Sequence, residues 1–290
     1  MRICAACGHR QEAGLLRCGA CGRALEVRNG IEIHAPEVGA EEGFDPAHFR
    51  ELARLEADHF WFRQRNRIIL DFVQRFFPGT RDYMEVGCGT GYVLQGLSAA
   101  HPQWRAWGSE LHVEGLAFAA RRLPGTCFLQ MDARRIPFAG EFDLIGSYDV
   151  LEHIHEDDAV LASIRSALKP GGGLLVTVPQ HPALWSSQDE AAHHVRRYRI
   201  GELEGKLQRA GFDILRSTSF VSLLLPAMLA SRLLNRMSAA ARNDPLREVR
   251  IGSLANRIGA LAMGADRSLI RAGLNLPIGG SRIIAARSIA

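Results

Sequence analysis

The chain is notable first for what is scarce in it. Only two of its 35 basic residues are lysines, Lys169 and Lys206. No apolar run is long enough to cross a bilayer, which takes ~20 residues. The longest, Phe220 to Ala230, is interrupted by Ser222 and Pro226. The start, Met1-Arg2-Ile3-Cys4, has no apolar h-region, so no secretory signal is expected. No long segment has a disorder-like composition. No Gly-Lys-Ser or Gly-Lys-Thr occurs, which excludes a P-loop. These absences lead to the expectation of a cytoplasmic chain. Its length of 290 residues suits one large domain with a small appendage.

Charge is unevenly placed. Residues 191–290 hold 16 Arg or Lys against 6 Asp or Glu, whereas residues 1–190 hold 19 against 25. A basic end suits an anionic partner such as a membrane, a nucleic acid or a phosphorylated substrate. A solvated helical face in an arginine-rich sequence gives the same count.

The first 30 residues read as a separate unit. Cys4-x-x-Cys7 and Cys18-x-x-Cys21 stand ten residues apart, and Gly8 and Gly22 follow the pairs. Four thiolates at this spacing suit tetrahedral zinc, and the pattern resembles a small zinc ribbon. Metal binding would supply the folding energy that so small an apolar core lacks. Two disulfides or a redox pair are the alternatives, and the absence of a secretion signal argues against structural disulfides. A closed four-Cys site is structural. Residues 31–46, with Pro36, Gly39, Gly43 and Pro46, read as a linker.

Asp45 is expected to cap a helix from about Pro46 to Phe77. Its run His59-Phe60-Trp61-Phe62-Arg63 cannot face one side. Phe60 and Phe62 are assigned to packing, and Trp61 and Arg63 to the mouth of a pocket. From Asp82 strands and helices alternate, as in a doubly wound α/β sheet. The expected strands end near Val86, Ser109, Gln130, Ser147, Val178 and Ser217.

The stretch Glu85-Val86-Gly87-Cys88-Gly89-Thr90-Gly91 joins the first strand to a helix beginning at Tyr92. Such a turn brings backbone N–H groups to a ligand, and glycine permits the approach and a positive φ. The spacing departs from GxGxxG, because Tyr92 stands where the third glycine of the dinucleotide motif would be. Glu110, 19 residues after Gly91, ends the second strand, where a carboxylate can accept from both ribose hydroxyls. Asp132, after the third strand, could accept from the amine of adenine. A helix cap or a solvated turn is the plain alternative for each acid.

Together these residues resemble class I S-adenosylmethionine-dependent methyltransferases, of the small-molecule and quinone-type group, over about residues 80–219. The resemblance is carried by Glu85 to Gly91, Glu110, Met131-Asp132-Ala133, Phe142-Asp143-Leu144-Ile145 with Asp149 and Leu151-Glu152-His153-Ile154, and Lys169-Pro170-Gly171-Gly172. It implies S-adenosylmethionine as cofactor. Gly87, Gly89 and Gly91 would surround its methionine moiety, and Glu85 would face the amino acid end. Glu110 would bind ribose, Asp132 adenine, and Asp149 is added to the cofactor set. The implied fold is a Rossmann-like seven-stranded sheet with an antiparallel last strand, for which Ser281 to Arg287 is the candidate. The domain would run over 47–290, with residues 220–278 as a helical insertion before that strand.

Those insertion helices could pack on the domain, meet a second subunit in a homodimer, wall a greasy acceptor pocket, or touch a membrane peripherally. For methyl transfer to a hydroxyl, a general base helps. His194 and Tyr198, then His153, are the candidate acceptor-side residues, with His155 and His193 close by in the sequence. The nucleic-acid amine motif Asn-Pro-Pro-Tyr is absent. The expectation is therefore an enzyme acting on a small or lipid-linked acceptor at oxygen. An RNA methyltransferase reading its substrate through the ribbon, or a non-catalytic scaffold, stands as the alternative.

Overall fold

The computed structural model describes residues 1–289 apart from 5, 13, 38–44 and 237–250, and describes the backbone alone for 233–236. The N-terminal unit contributes four short strands, β1 (Arg2–Ile3), β2 (Arg10–Gln11), β3 (Glu26–Arg28) and β4 (Ile31–Ile33). Helices α1 (Phe49–Leu55) and α2 (Phe60–Phe76) follow. The alternating region runs β5 (Asp82–Val86), α3 (Tyr92–Ala100), β6 (Arg105–Glu110), α4 (Val113–Arg122), β7 (Cys127–Gln130), β8 (Phe142–Tyr148), α5 (Asp157–Ala167) and β9 (Leu168–Pro179). Then come α6 (Ser187–Ala191), α7 (Glu202–Arg209), β10 (Phe212–Phe220), α8 (Leu225–Arg236), α9 (Ser253–Arg271) and β11 (Ser281–Ser288).

The main sheet has the order β10-β11-β9-β8-β5-β6-β7-β4-β3. Seven of these strands form the expected Rossmann-like sheet, with β11 antiparallel to both neighbours. The other two come from the N-terminal unit. Strand β4 pairs in parallel with β7, Ile31 opposite Phe128, and β3 closes the edge. This corrects the reading of 31–46 as a linker. Ile31 and Ile33 are buried, and the Gln130 side chain bonds both backbone groups of Ala35. Residues 38–44 of the expected linker lie outside the described residues. The ribbon is thus pinned to the sheet, also by Arg2, whose guanidinium meets Glu32 at 2.7 Å.

All five residues of β5 are buried, as for a central parallel strand covered on both faces. Tyr83 joins the layer of α2, α3 and α9, with Ile68, Phe72, Leu94 and Met263. Met84 and Val86 join the opposite layer, with Val160, Leu161 and Ile164 of α5 and Leu203 of α7. The expected single helix from Pro46 to Phe77 is broken after Leu55. His59 is extended and caps α2, its Nδ1 accepting from Trp61 N–H at 3.2 Å. Strand β9 begins at Leu168 rather than Leu174. Lys169 there bonds Asp82 and Asp143, both at 2.7 Å, which holds the Lys-Pro-Gly turn in line with the sheet.

The insertion packs on α2. Asn256 of α9 accepts from Phe60 N–H at 2.7 Å, and Arg267 meets Asp71 at 2.6 Å. Residues 237–250 of the insertion lie outside the described ones. Among the described residues, no helix is long and apolar enough to cross a membrane.

Candidate active site

The strand register sets the site. Val86 stands opposite Ser109 on one side and Ser147 on the other, so β5, β6 and β8 end level. Gly87 just after β5, Glu110 at the end of β6 and Asp149 just after β8 therefore open on one edge. A cavity of about 1110 Å³ lies there. It is lined by Glu85, Gly87, Gly89, Glu110, Asp132, Asp149, His153 and His194, among others. That edge is where ligands bind in open α/β sheets.

The glycine turn is shaped by close approach. Gly87 has φ +72°, and a Cβ there would come 2.3 Å from Val150. Gly91 has φ +78°, and its Cβ would come 2.9 Å from that of Ala119. Glu110 receives the loop: its Oε2 accepts from Gly89 N–H at 3.0 Å, and its Oε1 from Leu111 N–H at 2.7 Å. Oε1 also accepts from His112 N–H at 3.4 Å, so of the carboxylate's about four lone-pair sites the one left free is on Oε2. Burial raises the Glu110 carboxyl above its usual range, against the pull of the Leu111 and Gly89 amides. Burial likewise pushes Glu85 up to about 8, and Arg65 opposes it.

Several contributors are not named by the sequence motifs. Arg65, nearly buried on α2, pairs with Asp149 and stacks on Trp61 at 4.4 Å. Asp149 takes a left-handed φ of 57°, which a short carboxylate side chain tolerates. Glu56 accepts from Thr90 Oγ1 at 2.7 Å and pairs with Arg122 at 2.7 Å, clamping the glycine turn from α1. The i, i+4 spacing of Trp61 and Arg65 was the available signal for the first. The aromatic assignments change too: Phe60, Trp61 and Phe62 all line the cavity, and Arg63 is exposed outside that lining. Asp132 lines the cavity and also caps the turn after β7, accepting from Arg134 N–H at 2.8 Å and Arg134 Nε at 2.8 Å.

Another side of the cavity is built from the segment between β9 and α7. Asp189, fully buried, accepts from His194 Nδ1 at 2.9 Å and from Arg197 Nε at 2.6 Å. Burial alone would raise its carboxyl, but the His194 and Arg197 bonds bring it down to about 2. An ionised carboxylate only accepts, so Nδ1 of His194 carries a proton, and in the neutral ring the lone pair is then on Nε2. His153 stands edge-on to His194 at 4.7 Å. Burial, helped by His194, lowers His153 to about 3, so it is uncharged near neutrality. Glu152, His153 and His194 each place one donor atom within 4.8 Å of the others. A carboxylate with two imidazoles could hold a divalent cation or share a proton.

Tyr198 is brought to a different place. It is buried in the layer with Phe212 and Leu203 and is not part of the cavity lining. Its hydroxyl donates to Asp157 Oδ2 at 2.8 Å, and burial keeps it protonated well above the usual phenol range. It braces α5 rather than facing an acceptor. A further wall of the cavity comes from Leu224, Met228 and Arg232, one i, i+4 stripe through the start of the insertion and α8.

In the ribbon the four sulfurs converge. Cys4 and Cys21 lie 3.8 Å apart, Cys7 and Cys18 3.6 Å apart, and all four fall within 4.8 Å. None is in a disulfide. Tetrahedral coordination at ~2.3 Å separates sulfurs by about 3.8 Å, so the set fits one zinc ion. The backbone amides of Cys21 and Ala20, aimed at its sulfur, help bring the Cys18 thiol down to about 6.

Comparison with known proteins agrees with this geometry. The model of a methyltransferase-domain family matches residues 61–217. Trans-aconitate 2-methyltransferase of Deinococcus radiodurans is 30% identical over 157 residues, 54% of this chain and 57% of that protein. The ubiquinone biosynthesis O-methyltransferase of Xanthomonas axonopodis pv. citri is 29% identical over 141 residues, 46% of this chain and 58% of that protein. The chain spans less than two thirds of the length of the curated relatives it matches first. Among solved structures, a chain from the Haloferax volcanii complex of the Trm112 methyltransferase activator with a methyltransferase superposes with TM-score 0.55 at 16% identity. That match covers 84% of this chain and 97% of the other, and it shows the fold. The chain belongs to the methyltransferase-domain family, built on the Rossmann-like fold of the class I S-adenosylmethionine-dependent methyltransferases.

Proposed function

We propose that this protein transfers a methyl group from S-adenosylmethionine to a hydroxyl oxygen of a small or lipid-linked acceptor. The observation that carries the cofactor assignment is Glu110 at the strand edge, bonded to Gly89 N–H through Oε2, which keeps a lone pair for a ligand. The close-packed glycines and the cavity of about 1110 Å³ fit a nucleoside-sized ligand with an amino acid arm. Glu110 would accept from the ribose hydroxyls, and Asp132 from the adenine amine. Glu85 and the Arg65–Asp149 pair would face the charged amino acid end.

When bound, S-adenosylmethionine supplies a methyl group already activated on a sulfonium. The protein's task is then alignment and proton removal. His194 Nε2 takes the proton of the acceptor hydroxyl, and Asp189 holds the ring and stabilises the imidazolium that forms. Glu152, 4.0 Å from Nε2, borders the same spot. Leu224 and Met228 give the acceptor an apolar wall, and Arg232 stands beside Asp189 at 3.6 Å. A cavity so walled supports an acceptor of small-molecule width over a folded RNA.

The ribbon is assigned one structural zinc ion on Cys4, Cys7, Cys18 and Cys21. Its role is to fold the unit that adds β3 and β4 to the sheet.

Calorimetry with S-adenosylhomocysteine tests the cofactor assignment. Removing two hydrogen bonds to a carboxylate in Glu110→Ala is expected to weaken binding by roughly a hundredfold or more. Unchanged affinity would refute it.

A further inference from the structure

Helix α9 is apolar on two opposite faces. Gly259, Met263 and Ile270 face inward, and a Cβ on Gly259 would come 2.8 Å from the Phe60 ring. The opposite face carries Leu254, Ile258, Leu261 and Leu269, which are 72%, 55%, 76% and 38% exposed. Leu274 and Ile278 continue this ridge beyond the helix. A surface helix ordinarily turns polar residues to water. A ridge of exposed leucines marks a surface that something covers.

The charges beside the ridge are mostly positive. Among the described side chains of α8 and α9, Arg257 and Arg271 are exposed. The acid of α9, Asp266, is fully buried and accepts from Ser222 N–H at 2.6 Å. On α2, which carries α9 at Phe60, Gln64 and Asp71, the exposed arginines are Arg63, Arg67 and Arg75. Arg63 and Arg67 are spaced i, i+4 on the flank next to those contact positions. Asp71 is engaged by Arg267, and Asp58, two residues before α2, is an exposed acid at one end.

We propose that the outer face of α9 rests on an anionic phospholipid bilayer. Leu254, Ile258, Leu261 and Leu269 enter the boundary between headgroups and acyl chains, and the arginines meet lipid phosphates. A helix in this role lies in the membrane plane, and its length need not span the bilayer. A second copy of the chain fits the face less well. A two-fold contact is self-complementary and would set the arginine rim against itself. Asn256 bonds the Phe60 and Asp58 backbones, so the docked helix is tied to the turn that walls the cavity. The inference stands on the helix face and does not depend on the acceptor.

Sedimentation of the full chain with vesicles tests it, using phosphatidylglycerol in phosphatidylcholine against phosphatidylcholine alone. Binding is expected to the anionic vesicles and to weaken as salt is raised. Arg257→Gln is expected to weaken it about fivefold, and Leu261→Glu about tenfold or more. Leu261 is exposed, so the variant keeps its affinity for S-adenosylhomocysteine, which serves as the control for folding. Equal sedimentation of wild type and Leu261→Glu, or none with anionic vesicles, would overturn the proposal. So would a dimer that Leu261→Glu dissolves in the absence of vesicle binding, since that assigns the face to a second copy.

Discussion

Asp189 Oδ1 accepts from His194 Nδ1 at 2.9 Å, and this bond decides which nitrogen of the ring is left for the cavity. Asp189 is held in turn by its own helix start. It accepts from Ser186 N–H at 2.9 Å in a capping box, so the carboxylate belongs to the backbone of α6 as much as to the site. The imidazole is therefore positioned by a short helix, not by a free loop.

His194→Ala follows as the direct test of that arrangement. It should lower the methyl-transfer rate by about 10²–10⁴-fold, the usual worth of a positioned base. Cofactor affinity should hold, since His194 lies on the acceptor side. The contrary result is a rate within about twofold of wild type, which would leave alignment alone to account for catalysis.

Glu85 predicts a pH dependence of cofactor binding. Its carboxyl is raised to about 8 by burial, so it holds a proton in the free protein at neutral pH. The ligand's ammonium group favours the ionised form. Binding below about pH 8 must then release that proton, and S-adenosylhomocysteine affinity should rise from pH 6 to pH 8, by at most about tenfold per unit. Glu85→Gln should flatten the slope. The same shift acts on folding: the unfolded chain loses this proton near the ordinary carboxyl range and the folded one near 8. The contribution of Glu85 to stability is thus full at low pH and is lost as pH rises towards 8. Calorimetry in buffers of different ionisation enthalpy reads the proton release directly.

The ribbon predicts about one equivalent of zinc per chain, lost in Cys18→Ser. Because β4 pairs with β7 through Ile31, Glu32 and Ile33, losing the metal should free the edge of the main sheet. A fall in Tm of several degrees is expected on chelation, since metal-binding energy is folding energy in such units. Metal analysis finding no zinc in protein purified without chelator would contradict the assignment.

The glycine-turn edge of the cavity was legible because its signals are local. Gly87, Gly89 and Glu110 fall at fixed offsets from strand ends, and strand ends in a parallel sheet share an edge; Gly91, expected with them, lies outside the lining and packs on Ala119. The antiparallel last strand at Ser281 was legible through the family resemblance, which implied one more strand after the sixth. Long-range pairing was not. Ile31-Glu32-Ile33 is too short to declare itself a strand, and its partner β7 lies some hundred positions on. Tyr198 was misplaced because the segment after His194 turns back into the sheet: Tyr198 N–H bonds Pro179 and its ring drops into the core. Arg65 was overlooked because a helical arginine reads as solvated until its neighbours are known. The break at His59 hinges on a histidine cap, a residue that sequence rules do not favour for that position.

The measurement that bears most directly on the central claim is the fate of a labelled methyl group. Full-length protein and radiolabelled S-adenosylmethionine are incubated with a bacterial lysate, which is then separated into lipid, small-molecule, RNA and protein fractions. The account predicts label in the lipid or small-molecule fraction, and its loss in Glu110→Ala and His194→Ala. Label confined to RNA or protein, or the same label from the variants as from wild type, would contradict it.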